Sequence, residues 1–170
     1  LHHIRNHHAT STDRVAALSS SVTKRYLPWV VAAALFMEQL DATILNTAIP
    51  SIAASFDVTP LSLKSVVSSY ILSLAVGIPI SGWMADRFGT RRVFSIAIIV
   101  FTIASVLCGL AVNPEMMVAA RLLQGLGGAM MMPVGRLAII RTFPKSELLG
   151  AMNFVIIPAL IGPLLGPTVG

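Results

Sequence analysis

The sequence has 170 residues, 55% hydrophobic and only 11% charged, with a formal net charge of +5 and a mean hydropathy of +0.82. Water-soluble domains carry about a quarter charged residues, so this composition excludes an ordinary soluble fold. It reads instead as an all-α polytopic membrane helix bundle whose first partner is the lipid bilayer.

Residues 1–25 are polar and include His2, His3, His7 and His8. They lack the apolar core and small-residue cleavage site of a signal peptide and are expected to form a flexible cytoplasmic leader. No Met stands at position 1, so more sequence is expected upstream. Residues 26–170 are expected to be part of an amino-terminal transmembrane domain, with spans at about 27–49, 66–84, 93–112, 116–140 and 148–170. Each approaches or reaches the length that carries a helix across a bilayer, roughly 17–25 residues.

The first span holds Glu38 and Asp41, three positions apart and therefore on one helical face. A carboxylate at mid-depth costs roughly 2.5–3.5 kcal/mol on insertion scales unless it is protonated, paired or facing water. Two of them there suit the uptake and release of a proton. A static hydrogen bond or cap to a neighbouring helix is the plainer role for the same residues.

Between the second and third spans lies a charged hairpin, residues 82–92, containing Gly82, Asp86, Arg87, Gly89, Arg91 and Arg92. Gly89 permits a sharp turn. Asp86 is expected just past the second span, accepting from Arg87, from Arg136 or from the positive end of another helix. Such a cluster can latch one conformation, or simply fix topology. Cys108 is the single cysteine, which excludes an intrachain disulfide, and is expected to be a small packing residue.

The fourth span carries Arg121 near its outer end, followed by Gln124 and by the small residues Gly125, Gly128 and Ala129. An intramembrane Arg requires a carboxylate or carbonyls, and Glu38 or Asp41 is its natural partner, in a static pair or in proton coupling. The small residues suit close helix contact. The fifth span contains Pro158, Gly162, Pro163, Gly166 and Pro167, a density that marks a bend able to gate or seal. A helix stopping at Gly170 within the membrane would leave carbonyls unpaired, so the sequence is expected to be a fragment that lacks the carboxyl-terminal half.

Basic residues cluster at alternate junctions. Arg5, Arg14, Lys24 and Arg25 precede the first span, Arg87, Arg91 and Arg92 follow the second, and Arg136, Arg141 and Lys145 mark the end of the fourth. Lys and Arg accumulate on cytoplasmic loops. The amino terminus is therefore expected inside, and the positive charge is topological, with no nucleic acid implied. No nucleotide loop, metal-ligand cluster or catalytic Ser/His/Asp grouping is visible, so no enzyme activity, metal or cofactor is expected.

Residues 82–92 resemble the loop signature G-x-x-x-D-R-x-G-x-R-[RK] of the major facilitator superfamily of secondary transporters. Arg121 to Ala129 is similar to its fourth-span signature R-x-x-Q-G, and residues 162–170 to the fifth-span signature of its antiporters. The run from Leu40 to Pro50 resembles the drug:proton antiporter branch with fourteen spans. The resemblance implies proton-coupled efflux of drugs or amphipathic small molecules, driven by the proton gradient, from an inner (plasma) membrane. It places Asp86 and Arg87 in a cytoplasmic gate, Arg121 in proton coupling, and Gly162, Pro163 and Gly166 in an antiporter bend. The fold would be built of inverted three-helix repeats. Glu38 and Pro167 lie outside the family pattern. A facilitator-type uptake carrier and an inactive truncated membrane fragment are the alternatives.

Overall fold

A computed structural model describes the backbone of residues 11–169 and the side chains of residues 24–165. Five helices follow one another: α1 Ser11–Ser55, α2 Lys64–Phe88, α3 Thr90–Gly109, α4 Pro114–Thr142 and α5 Lys145–Val169, with a short 3-10 helix, Pro60–Leu63, leading into α2. Five stretches are long and apolar enough to cross a membrane: Lys24–Ser55, Pro60–Phe88, Thr90–Gly109, Pro114–Thr142 and Lys145–Leu165.

Two boundaries differ from the sequence-based expectation for clear physical reasons. Residues 11–25, expected as part of a flexible leader, continue α1. No Gly or Pro interrupts residues 11–27, so nothing stops the helix from propagating amino-terminally. The hairpin expected over residues 82–92 is almost entirely helical. Gly89, at φ +86°, is the whole connection between α2 and α3. A backbone with φ in that range is open to Gly at no steric cost, and one such residue suffices to reverse the chain. Asp86 therefore sits in the last turn of α2 rather than beyond it. At the opposite end, Asn113 Oδ1 accepts from the Met116 amide at 2.7 Å and Pro114 opens α4, a standard helix start.

Helix α4 is the centre. It packs against α2, α3 and, less extensively, α1, while α5 packs mainly on α1. The buried face of α2 reads Val66, Ser69, Ser73, Gly77, Ser81 and Ala85, a stripe of mostly small residues at helical spacing. It meets the small residues of α4. An added Cβ at Gly125 would lie 2.6 Å from Ser73 Cβ and 2.8 Å from the Tyr70 carbonyl, and one at Gly77 would lie 2.6 Å from Ala129 Cβ. Ser73 Oγ donates to the Leu122 carbonyl at 2.6 Å across this seam. Small residues let backbones approach where lipid offers no hydrophobic drive for helix association.

The face of α3 that meets α4 presents Phe94, Ala97 and Phe101, and Gly127 of α4 sits directly against the backbone of Ala97 and Phe101. The opposite faces of α2 and α3 expose Ile71, Leu72, Ile96, Ile99 and Ile103, as a lipid-facing surface requires. Helix α5 closes on α1 through an edge-on Trp29–Phe154 ring contact at 4.7 Å and through Gly162, where a Cβ would lie 2.9 Å from Gln39 Cβ. The α1–α5 and α4–α2 pairs are what inverted repeats produce when α1 corresponds to α4 and α2 to α5.

Candidate functional site

A polar cluster lies inside this apolar bundle, assembled from α1, α2, α3 and α4. The placement of Glu38, Asp41, Arg121 and Gln124 follows from helical periodicity. Glu38 and Asp41 face α4 from α1, while Arg121 and Gln124, three apart, face the centre from α4. Arg121 Nη1 donates to Asp41 Oδ2 at 2.5 Å, with side chains only 5% and 19% exposed. The guanidinium also lies 5.9 Å from the Tyr70 ring centroid, within cation–π range. Of the two candidate acids, Asp41 is the partner of Arg121.

Glu38 is buried, and its Oε2 lacks a hydrogen-bond partner, as does Nε of Arg121. Such groups are rare in folded proteins and each asks for an explanation. Gly128 makes room for Glu38 and Tyr70: an added Cβ there would lie 3.1 Å from Tyr70 Oη and 3.4 Å from Glu38 Oε1. Its role is thus to let a tyrosine and a carboxylate converge on the α4 backbone, in addition to helix packing.

Gln124 is fully buried and turned away from the acids. Its amide donates to Ser105 Oγ at 2.6 Å and its oxygen accepts from Cys108 Sγ at 3.7 Å. It ties α4 to α3, and Cys108 belongs to that tie rather than acting only as a packing residue. A crevice of about 360 Å³ opens beside the ion pair, lined by Asp41, Ser105, Cys108, Met117 and Arg121 among others. It gives the Asp41–Arg121 pair a path to one face of the bundle.

The residues at the other end divide differently from expectation. Asp86 accepts from Arg141 Nη2 at 2.7 Å, so its partner is neither Arg87 nor Arg136. Helix α2 ends beside the end of α4, which places the penultimate residue of α4 within reach. Arg87 instead lies over Trp83 at 5.7 Å and Phe88 at 6.0 Å from the ring centroids. Arg91 and Arg92 are exposed in the first turn of α3, and Gly82 has nothing within 4 Å of an added Cβ. Gly162 makes the close α1–α5 contact, and Pro163 is exposed on a helix that continues past it. The surroundings of Gly166 lie outside the described residues, as do those of Pro167 and Gly170.

Tyr70, Ser73, Gly127 and Ser105 were not singled out from the sequence. The Ser69, Ser73, Gly77, Ser81 repeat of α2 carried a readable signal at every fourth residue for a helix seam. Nothing local marked Tyr70 as a neighbour of Arg121.

Comparison with known proteins finds relatives over most of this chain. "Putative multidrug resistance protein MdtD" of Pectobacterium carotovorum is 46% identical over 153 residues, covering 90% of this chain and 33% of that protein. The proteins of the same name from Cronobacter sakazakii and Salmonella paratyphi B are each 49% identical over 146 residues, covering 86% of this chain and 31% of theirs. The chain thus spans about a third of the length of these curated relatives. The family model described as the Major Facilitator Superfamily matches residues 31–170, and the chain, an integral membrane protein, belongs to that superfamily.

Proposed function

We propose that the chain supplies part of the amino-terminal half of a secondary active transporter that exports drugs or other amphipathic small molecules in exchange for protons. The observation that carries this reading is the buried Asp41–Arg121 pair between α1 and α4, with Glu38 one helical turn away and one of its oxygens unpartnered. A proton arriving at Asp41 cancels its charge and weakens the tie to Arg121, freeing α4 to shift against α1. Loss of the proton restores the tie. Glu38 is a second acid within the same space, able to hold or pass the proton. The crevice beside Asp41 supports a route for protons from one side.

The Asp86–Arg141 pair joins the ends of α2 and α4 and acts as a latch on the opposite side; the distribution of Lys and Arg supports that side as the cytoplasmic one. The names of the relatives favour export over uptake. The energy source is the proton gradient, with no further cofactor.

The test is efflux of a panel of amphipathic dyes from cells carrying the complete gene product. Asp41→Asn and Glu38→Gln should each abolish gradient-dependent efflux while the protein still reaches the membrane. Efflux by both variants at the wild-type rate, surviving collapse of the gradient, would defeat the reading.

A further inference from the structure

Tyr70 reaches both parts of the buried cluster. It lies on α2, half-buried, and its ring centroid is 5.9 Å from the central carbon of the Arg121 guanidinium. Its hydroxyl stands at Gly128, about two helical turns along α4 from Arg121. Glu38 stands at the same place: an added Cβ at Gly128 would meet both Tyr70 Oη and Glu38 Oε1 within 3.4 Å. One side chain therefore has its ring against the arginine of the ion pair and its polar tip beside the second acid.

Oε2 of Glu38 has no hydrogen-bond partner as the cluster stands. An ionised carboxylate away from water needs a donor. Arg121 is committed to Asp41 through Nη1. Its Nε is free, but side chains tilt toward the amino terminus of their helix, which on α4 leads away from Gly128. Ser73, one turn along α2 from Tyr70, already donates to the Leu122 carbonyl. The Tyr70 hydroxyl is the donor left beside Glu38.

Asp41 and Arg121 are the charged groups that share the cluster with Glu38. Among the described residues the other charges stand apart. Lys64, Asp86 and Arg87 lie at the ends of α2, and Glu115 and Arg141 at the ends of α4. Lys145 and Glu147 lie in the first turn of α5, Arg91 and Arg92 in that of α3, and Lys24 and Arg25 more than three turns before Glu38 on α1. Arg136 is about 12 Å along α4 from Gly128. Cys108, the titratable group on the inner part of α3, is held by Gln124.

We infer that Tyr70 is a positioning residue for the exchange of protons: its hydroxyl donates to the Glu38 carboxylate when that acid gives up its proton. The bond holds the ring against Arg121, so the state of Glu38 is felt at the Asp41–Arg121 pair. Tyr70 keeps its own proton throughout and carries none of those exchanged. The inference rests on the proposed proton exchange and adds a residue to it. A donor that serves only the charged form favours release of the proton. Without it, Glu38 holds its proton to higher pH.

The test is infrared titration of the complete gene product in detergent, following the C=O band of buried protonated carboxyls against pH without substrate or gradient. The part of the band that disappears in Glu38→Gln belongs to Glu38. Tyr70→Phe keeps the ring and removes only the hydroxyl. Its Glu38 midpoint should lie about one pH unit above that of the wild type, a tenfold change in proton affinity. Thermal unfolding gives a second reading that needs no assigned band. Tyr70→Phe should melt with the wild type below the Glu38 midpoint and fall behind it as pH rises, because the lost bond exists only to the charged form. A midpoint that is unchanged or lowered in Tyr70→Phe, or a loss of stability equal at every pH, overturns the inference, since a tyrosine that only packs predicts no dependence on pH. Neither reading involves transport. Failure here leaves proton exchange at Asp41 standing, and efflux that survives in Asp41→Asn leaves the Tyr70 bond testable.

Discussion

Gly127 offers the sharpest test of the packing at the centre of the bundle. An added Cβ would lie 2.8 Å from the Phe101 nitrogen, 2.9 Å from the Ala97 carbonyl oxygen and 3.1 Å from the Phe101 α-carbon. All three atoms belong to the α3 backbone, so no side chain can rotate away, and α3 must move outward along several residues. Overpacking of this kind costs about 1–3 kcal/mol, against a gain of about 0.5–1 kcal/mol for replacing Gly by Ala in a helix. The midpoints of these ranges give a net loss of about 1 kcal/mol for Gly127→Ala. Gly82→Ala is the internal control, because nothing lies within 4 Å of its added Cβ. It should be neutral or stabilised by up to about 1 kcal/mol. The assay is thermal unfolding of the complete gene product in detergent, following the fraction that remains monodisperse after heating. If Gly127→Ala is as stable as the wild type, or if Gly82→Ala is the less stable of the two, the α3–α4 seam is not as close as described.

Other outcomes follow from the same geometry. Asp41→Asn leaves the buried Arg121 without its anion and should destabilise by about 3–5 kcal/mol, whereas Asp41→Asn with Arg121→Gln should recover most of that loss in a thermal-stability cycle. Additive losses would show that the pair is not coupled. The Asp86–Arg141 pair is 68% and 49% exposed, so Arg141→Gln should cost no more than about 1 kcal/mol of stability, and any larger effect should appear in transport rate instead. Gln124→Leu strips Ser105 and Cys108 of a partner and should cost about 1–3 kcal/mol, read in the same unfolding assay and accompanied by faster reaction of Cys108 with maleimide.

The pattern of five apolar helices was legible because hydropathy is a local property: each apolar run is its own signal. Boundaries were less legible. Hydropathy ends where charge begins, but helix geometry ends only at a breaker, so α2 carries Asp86 and Arg87 inside its last turn and α1 begins well before its apolar run. The choice between Glu38 and Asp41 as partner of Arg121 was not legible, since both share a face and the choice depends on how α1 is rotated against α4. The same holds for Asp86, whose partner Arg141 lies 55 residues away on a helix brought alongside only by the α2–α4 seam. Tyr70 became part of the site because Gly125 and Gly128 allow α2 to come so close, a consequence of packing that no local pattern encodes.

The central claim of the proposed function is that Asp41 of the α1–α4 ion pair carries the exchanged proton. Its most direct test is proton release on addition of an exported dye to the purified, complete gene product in weakly buffered solution. The wild type should release protons on substrate binding, and Asp41→Asn should release none although it still binds the dye. Equal release from both, or none from the wild type, would contradict the account.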